Sequence, residues 1–244
     1  MQDEAMDKVA MVVVAHPDDA EFGCSGTVAT WVRDGWEAHY VIVTDASGGG
    51  ADLATTLSVD ARRTTTETRQ SEQRAACDIL GVKDVTFLNY RDGTLEPTLE
   101  LRRDITRLLR TYRPSRVICQ SPDRVWTPSY AIGRHHPDHL ACGQAALSAI
   151  YPASQNAWDF PELLAEGLAP HKVSEVLVSG APVINHFVDI SETIDQKIAA
   201  LRAHDSQLGD HFDEIETWVK EWSGKNGEEH GVKYAEVFHR FENR

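Results

Sequence analysis

The run Val9-Ala10-Met11-Val12-Val13-Val14-Ala15 has neither charge nor alternation, and it stops directly on His16-Pro17-Asp18-Asp19. A strand with one wet face alternates apolar and polar residues, whereas an unbroken apolar run is covered on both faces. A parallel sheet between two layers of helices provides that cover. The first strand therefore calls for an α/β architecture, and it sets a histidine and two carboxylates at its carboxyl end. In an open α/β sheet, that edge is where ligands bind.

The rest of the chain keeps the same rhythm. Gly23 to Arg33 reads as a helix and His39 to Thr44 as a second strand. Arg62 to Leu80 has helical spacing and stops at Gly81, a C-cap signal. Val85 to Leu88 is a short strand, Asp92-Gly93 a turn, and Leu99 to Tyr112 a helix between Pro97 and Pro114. Arg116 to Gln120 follows as a strand and His139 to Ile150 as a helix. Val173 to Val178 and Val183 to Val188 read as late strands, and Ile194 to His204 and Phe212 to Trp222 as helices. Gly224-Lys225-Asn226-Gly227 reads as a loop, and Tyr234 to Phe241 closes the chain without a clear period. Alternating strands and helices predict a Rossmann-like α/β fold, with a mostly parallel sheet and helices on both faces. With no repeat and no low-complexity linker, residues 1–244 are expected to form a single domain.

Composition excludes some functions. A formal charge of −14 argues against binding nucleic acid by neutralising phosphates, and it disfavours an anionic membrane surface. No apolar run approaches the ~20 residues of a membrane helix. The start, Met1-Gln2-Asp3-Glu4, is acidic where a secretory leader is basic, so a cytoplasmic location is expected. Cys24, Cys77, Cys119 and Cys142 form no CxxC pair and have mostly apolar neighbours, which predicts buried free thiols.

A second cluster, His136-Pro137-Asp138-His139, follows the Arg116–Gln120 strand and leads into a helix. An Asp after Pro at a helix start is ordinary turn and N-cap chemistry. Two such clusters at two strand ends are what a metal site needs. A catalytic zinc takes three protein ligands and keeps one position for water. His16, Asp19 and His139 supply two imidazoles and one carboxylate, a set that also suits ferrous iron or another divalent metal. His135 offers the same donor by composition; His139 is preferred because it begins a helix and can face the sheet edge. Asp18 is then placed to take a proton from water. His136 is placed to polarise a carbonyl or steady an oxyanion, with Asp138 orienting that imidazole.

Other features have milder readings. Ser47-Gly48-Gly49-Gly50 lacks a phosphate-loop pattern and reads as a hinge beside the site. Trp126, Thr127, Tyr130 and Ile132 offer either an aromatic platform for a sugar ring or ordinary loop packing. His186 reads as a core or edge residue. Trp218 and Trp222, four apart on a helix, pack on the core or on a neighbouring subunit, which leaves a homo-oligomer open.

Ala15-His16-Pro17-Asp18-Asp19-Ala20-Glu21 and His136-Pro137-Asp138-His139 resemble the two motifs of the LmbE-like, or PIG-L, family of zinc-dependent N-acetylglucosaminyl de-N-acetylases. Three further segments carry the resemblance along nearly the whole chain: Arg69-Gln70-Ser71-Glu72 with Ala75, Ala76 and Leu80-Gly81; Asn89-Tyr90-Arg91-Asp92-Gly93; and His204-Asp205-Ser206-Gln207. The family implies zinc on His16, Asp19 and His139, Asp18 as base, His136 as the electrostatic or acid group, and Asp138 as its partner. It also implies Arg69 and Asp92 as contacts for sugar hydroxyls. The expected activity is hydrolysis of the N-acetyl group of an N-acetylglucosamine-type amino sugar or its conjugate. An amidase on an amino-sugar thiol conjugate, a metal-free carbohydrate-binding module and an iron-dependent oxygenase are the alternatives.

Overall fold

β1 (Val9–Val14) lies between two parallel partners, β2 (Glu37–Thr44) and β4 (Arg116–Gln120). Its side chains go alternately to two cores. Met11 and Val13 pack with Leu101, Ile105 and Leu109 of α4 (Leu99–Tyr112) and with Ala145 and Ala146 of α5 (Pro137–Ile150). Ala10, Val12 and Val14 pack with Val28 of α2 (Ser25–Arg33) and with Ala76 and Leu80 of α3 (Val59–Leu80). Both faces are dry, as the unalternated sequence requires, and each buried valine contributes about 1.5–3 kcal/mol. These features come from a computed structural model, which describes residues 8–50, 58–126 and 135–243.

The sheet has seven strands in the order β3-β2-β1-β4-β5-β7-β6. From β1 the chain steps outward through β2 to β3 (Asp84–Tyr90), then returns to the far side of β1 for β4 and β5 (Glu175–Ser179), all parallel. The reversal leaves a crevice beyond the carboxyl ends of β1 and β4, the switch point of such folds. β7 (Ala235–Glu242) pairs antiparallel with β5, and β6 (His186–Asp189) antiparallel with β7. The other α-helices among the described residues are α1 (Asp19–Gly23), α6 (Pro161–Ala165), α7 (Ile194–Arg202), α8 (Asp205–Leu208) and α9 (Phe212–His230). The Rossmann-like, mostly parallel α/β sheet stands.

Several boundaries differ from the sequence reading. The helix expected over Gly23–Arg33 is α2, starting at Ser25, and a short helix absent from the sequence reading, α1, precedes it with a break at Cys24. α3 starts before Arg62 because the Ser58 hydroxyl accepts the Ala61 N–H at 3.0 Å and caps it. The expected loop Gly224–Gly227 is helical, and α9 continues to His230. Gly227 is needed there for closeness rather than for a turn: a Cβ on it would lie 2.6 Å from the Val232 carbonyl oxygen. The strand expected from Val183 begins only at His186, and the segment without a clear period near the C-terminus is β7. All four cysteines are buried and free.

Candidate metal centre

The turn after β1 delivers the first cluster. Ala15 N–H donates to the Gln120 side chain at 3.0 Å, which fastens this turn to the end of β4. Asp18 then takes a left-handed conformation, φ 82°, and caps α1 by position. That backbone turns the Asp18 and Asp19 carboxylates to different partners. The second cluster arrives on the first turn of α5, with His136 at the N-cap, Pro137 at the first helical position, and the His136 Nδ1 accepting the Asp138 N–H at 3.2 Å. Gly143 lets this helix press on β4, since a Cβ there would lie 2.4 Å from the Gln120 carbonyl oxygen.

Three donor groups face one another across the crevice. His16 Nδ1 lies 3.2 Å from His139 Nε2 and 3.4 Å from Asp19 Oδ2, and His139 Nε2 lies 3.0 Å from Asp19 Oδ1. Ligands about 2.0–2.1 Å from one zinc ion at tetrahedral angles stand about 3.3–3.4 Å apart, so the spacing fits such an ion. His136 also offers a ring nitrogen within 4.8 Å of those of His16 and His139. The far side of the His16 ring is held by carboxylates: Nε2 is 3.2 Å from Asp138 Oδ2 and 3.2 Å from Asp92 Oδ1. Those groups fix the tautomer that leaves Nδ1 for a metal. His16, Asp92 and Asp138 form a second donor set, but Asp138 already accepts from Gly93 N–H at 2.7 Å and Leu95 N–H at 3.1 Å. The set on the Nδ1 side is therefore the better cation site.

Electrostatics agree. Burial alone would lower the pKa of His16, yet hydrogen bonds to Asp138, Asp19 and Asp92 push it up to about 12. Burial opposes ionisation of Asp19, but the charge of His139 and hydrogen bonds from both imidazoles hold its carboxyl well below the usual range. Burial likewise opposes ionisation of Asp92, while His16 and the Gly48 N–H bring it down to about 2. The cluster is an anionic nest that asks for positive charge.

Asp138 is a correction to the sequence reading. Its carboxylate meets His16 Nε2 rather than the His136 ring, and it is fully buried against the Gly93–Leu95 turn. Among the described residues, the His136 ring accepts only the Asp138 backbone N–H. Burial lowers its pKa and nearby His16 lowers it further, which favours a neutral ring with the proton on Nε2. Asp18 stands beside Asp19 with 17% of its side chain exposed, Arg69 Nη2 donating to its Oδ2 at 3.1 Å. Burial raises the Asp18 pKa to about 6, the neighbouring Asp19 adding to the rise and Arg69 opposing it.

Arg69 and Asp92 are both brought to this cluster, Arg69 engaged through Nη2 while its buried Nε has no hydrogen-bond partner among the described residues. Arg69 Nη2 serves Asp18 and the Pro17 carbonyl, and Asp92 serves His16 and accepts the Gly48 N–H at 2.9 Å. His135 turns away: its Nε2 lies 3.2 Å from the Val125 carbonyl oxygen. Sequence reasoning missed Gln73 and named Glu21 and His204 only within segments that carry the family resemblance; all three are fully buried behind Asp18. Gln73 belongs to neither histidine–aspartate cluster, so a motif search passes over it. Only its helical spacing from Arg69, one turn on, could have flagged it. Trp218 and Trp222 are about half exposed and line a 530 Å³ cavity with Phe22 and Val219. Trp126 is exposed, while Thr127, Tyr130 and Ile132 of the suggested platform lie outside the described residues.

The PIG-L family, described as GlcNAc-PI de-N-acetylase, matches residues 11–150, which include both clusters. Diacetylchitobiose deacetylase of Thermococcus kodakarensis is 31% identical over 230 residues, covering 94% of this chain and 81% of its own. A probable N-acetyl-α-D-glucosaminyl L-malate deacetylase of Bacillus anthracis is 31% identical over 211 residues, covering 84% of each chain. The crystal structure of N,N'-diacetylchitobiose deacetylase from Pyrococcus horikoshii superposes with a TM-score of 0.84 at 29% identity, covering 96% of this chain and 84% of that one. Family, fold and the paired histidine–aspartate clusters converge, and the chain belongs to the PIG-L family of metal-dependent deacetylases.

Proposed function

We propose that this protein is a zinc-dependent hydrolase that removes the N-acetyl group from an N-acetylglucosamine-type amino sugar or its conjugate, releasing acetate. The observation that carries the reading is the Asp18 carboxylate next to Asp19 of the His16–Asp19–His139 donor set, with the His136 ring packed against the rings of His16 and His139. His16, Asp19 and His139 are the metal ligands. A zinc ion held by them lowers the pKa of water from 15.7 to about 7 and polarises a carbonyl oxygen.

Asp18 accepts a proton from the attacking water, and a carboxyl group with a pKa near 6 is suited to take it and give it back near neutral pH. The water oxygen bonds to the acetyl carbon, and His136 Nε2–H supports the negative charge that develops on the carbonyl oxygen. The C–N bond then breaks with its electron pair on nitrogen, and the nitrogen gains the proton that Asp18 took. Asp138 acts through His16 by holding its tautomer. Arg69 keeps Asp18 oriented, and the residual donors of Arg69 and the rim around Asp92 meet the sugar. Residues 1–244 act as one domain on a small amino-sugar substrate, within the cell and without nucleic acid or membrane. Among the described residues no helix is long and apolar enough to cross a membrane.

The test is a panel of N-acetylglucosamine, its β-linked dimer, and its malate and inositol conjugates, with acetate and free amine both quantified. Equal release of the two from at least one member is expected. Amine release from none of them would contradict the reading.

A further inference from the structure

Three fully buried polar side chains stand in a row behind Asp18: Gln73 on α3, Glu21 on α1, and His204 at the start of α8. Gln73 Oε1 accepts the Asp18 N–H at 3.1 Å, and Gln73 Nε2 donates to Glu21 Oε1 at 3.0 Å. Glu21 Oε2 lies 3.3 Å from His204 Nε2. The row is kept at a cost. Neither ring nitrogen of His204 nor Glu21 Oε2 makes a well-aligned hydrogen bond, although all are buried. Unsatisfied buried polar atoms ask for a reason beyond folding.

The row ends on a strained residue. A non-glycine residue held at positive φ is strained and persists only where its surroundings fix it. At Asp18 that conformation separates the carboxylate that faces Arg69 from the Asp19 carboxylate that faces the imidazoles. The segment that carries His204 also grips two neighbours. Ser206 donates from its N–H and its hydroxyl to Glu72 of α3, each at 2.7 Å, and Gln207 donates to the Gly49 carbonyl at 2.9 Å. One short stretch thus ties α1, α3 and the glycine loop together around Asp18.

We propose that Gln73, Glu21 and His204 are positioning residues that hold Asp18 in its left-handed conformation and so aim its carboxylate. The proposal rests on the reading of Asp18 as the base. Gln73 reaches the Asp18 backbone directly; Glu21 orients the Gln73 amide so that oxygen, not nitrogen, faces that N–H; His204 orients Glu21.

The experiment measures kcat, KM, zinc per chain and hydrogen exchange at the Asp18 amide for Gln73→Leu and His204→Asn, each alone and combined with Asp18→Asn. Each single variant is expected to lower kcat about 10- to 100-fold at wild-type zinc content, with KM changed less than about threefold. Exchange at the Asp18 amide should quicken about tenfold or more in Gln73→Leu. In the Asp18→Asn background neither variant should lower kcat further, because both act through Asp18. The double exchange Glu21→Gln with Gln73→Glu preserves the acceptor toward Asp18 and reverses the bond between the two side chains. It should recover most of the kcat that Gln73→Glu loses alone, and it decides the matter if Gln73→Leu fails to fold. Unchanged kcat, zinc lost in step with kcat, a full further drop in the Asp18→Asn background, or no recovery in the double exchange would each overturn the proposal. If the wild-type protein releases no amine, the deacetylase reading has failed, and amide exchange alone decides whether the row holds Asp18.

Discussion

His16 is turned by partners on both edges of its ring, and the two edges make separable predictions. On the Nε2 edge, both Asp138 oxygens also accept backbone N–H groups from Gly93 and Leu95. Asp138→Asn must therefore set an amide N–H₂ against a backbone donor, and zinc affinity should fall about 10- to 100-fold by competition with a chelating dye. On the Nδ1 edge, His139→Ala removes one of the three proposed ligands and should abolish stoichiometric zinc. Asp18→Asn should keep full zinc and lose about 10²- to 10⁴-fold in kcat; near-wild-type turnover would show that another group is the base. The two histidine–aspartate clusters were legible because the residues of each are contiguous and each follows a strand. The partner of Asp138 was not, because its carboxylate, two residues from His136, meets instead a ring at the end of the chain's first strand, 122 positions away. Gln73 escaped for the same reason, lying 55 residues from the backbone N–H it meets.

At the scale of elements, α5 brings His136 and His139 to the crevice only because Gly143 touches the main chain at Gln120–Pro122. Gly143→Val would drive side-chain atoms into backbone that has nowhere to go. A stability loss of about 1–3 kcal/mol or more is expected in urea unfolding, together with weaker zinc binding. β1 was legible at once, since an apolar run from Val9 to Ala15 without alternation has one stable environment in a chain of this size. The end of α9 was not. Gly224 and Gly227 read as loop residues by propensity, but contact with the Val232–Lys233 backbone selects a helix with no side chain at Gly227. Tertiary closeness outweighs the intrinsic cost of about 1 kcal/mol for a helical glycine.

Across the whole molecule, one buried ion pair joins the site to the antiparallel end of the sheet. Lys197 Nζ on α7 donates to the carbonyls of Glu21 and Phe22 at 2.8 Å each and to Glu236 Oε1 of β7 at 2.7 Å. Glu236 accepts in turn from Gly26 N–H at 3.0 Å and Thr27 N–H at 2.7 Å, the opening of α2. The pair thus sets a cation at the end of α1 and an anion at the start of α2, where the helix dipoles favour them. Lys197→Met leaves a carboxylate buried without its cation and should cost about 3–5 kcal/mol in chemical denaturation. The proposed metal site lies at the other end of that frame, and amine release from N,N'-diacetylchitobiose, with zinc per chain determined in parallel, tests it. About one zinc per chain, with release that chelation abolishes and added zinc restores in proportion to the metal bound, is the predicted result. Release that continues undiminished in fully metal-free protein would contradict a zinc-dependent reaction at this site.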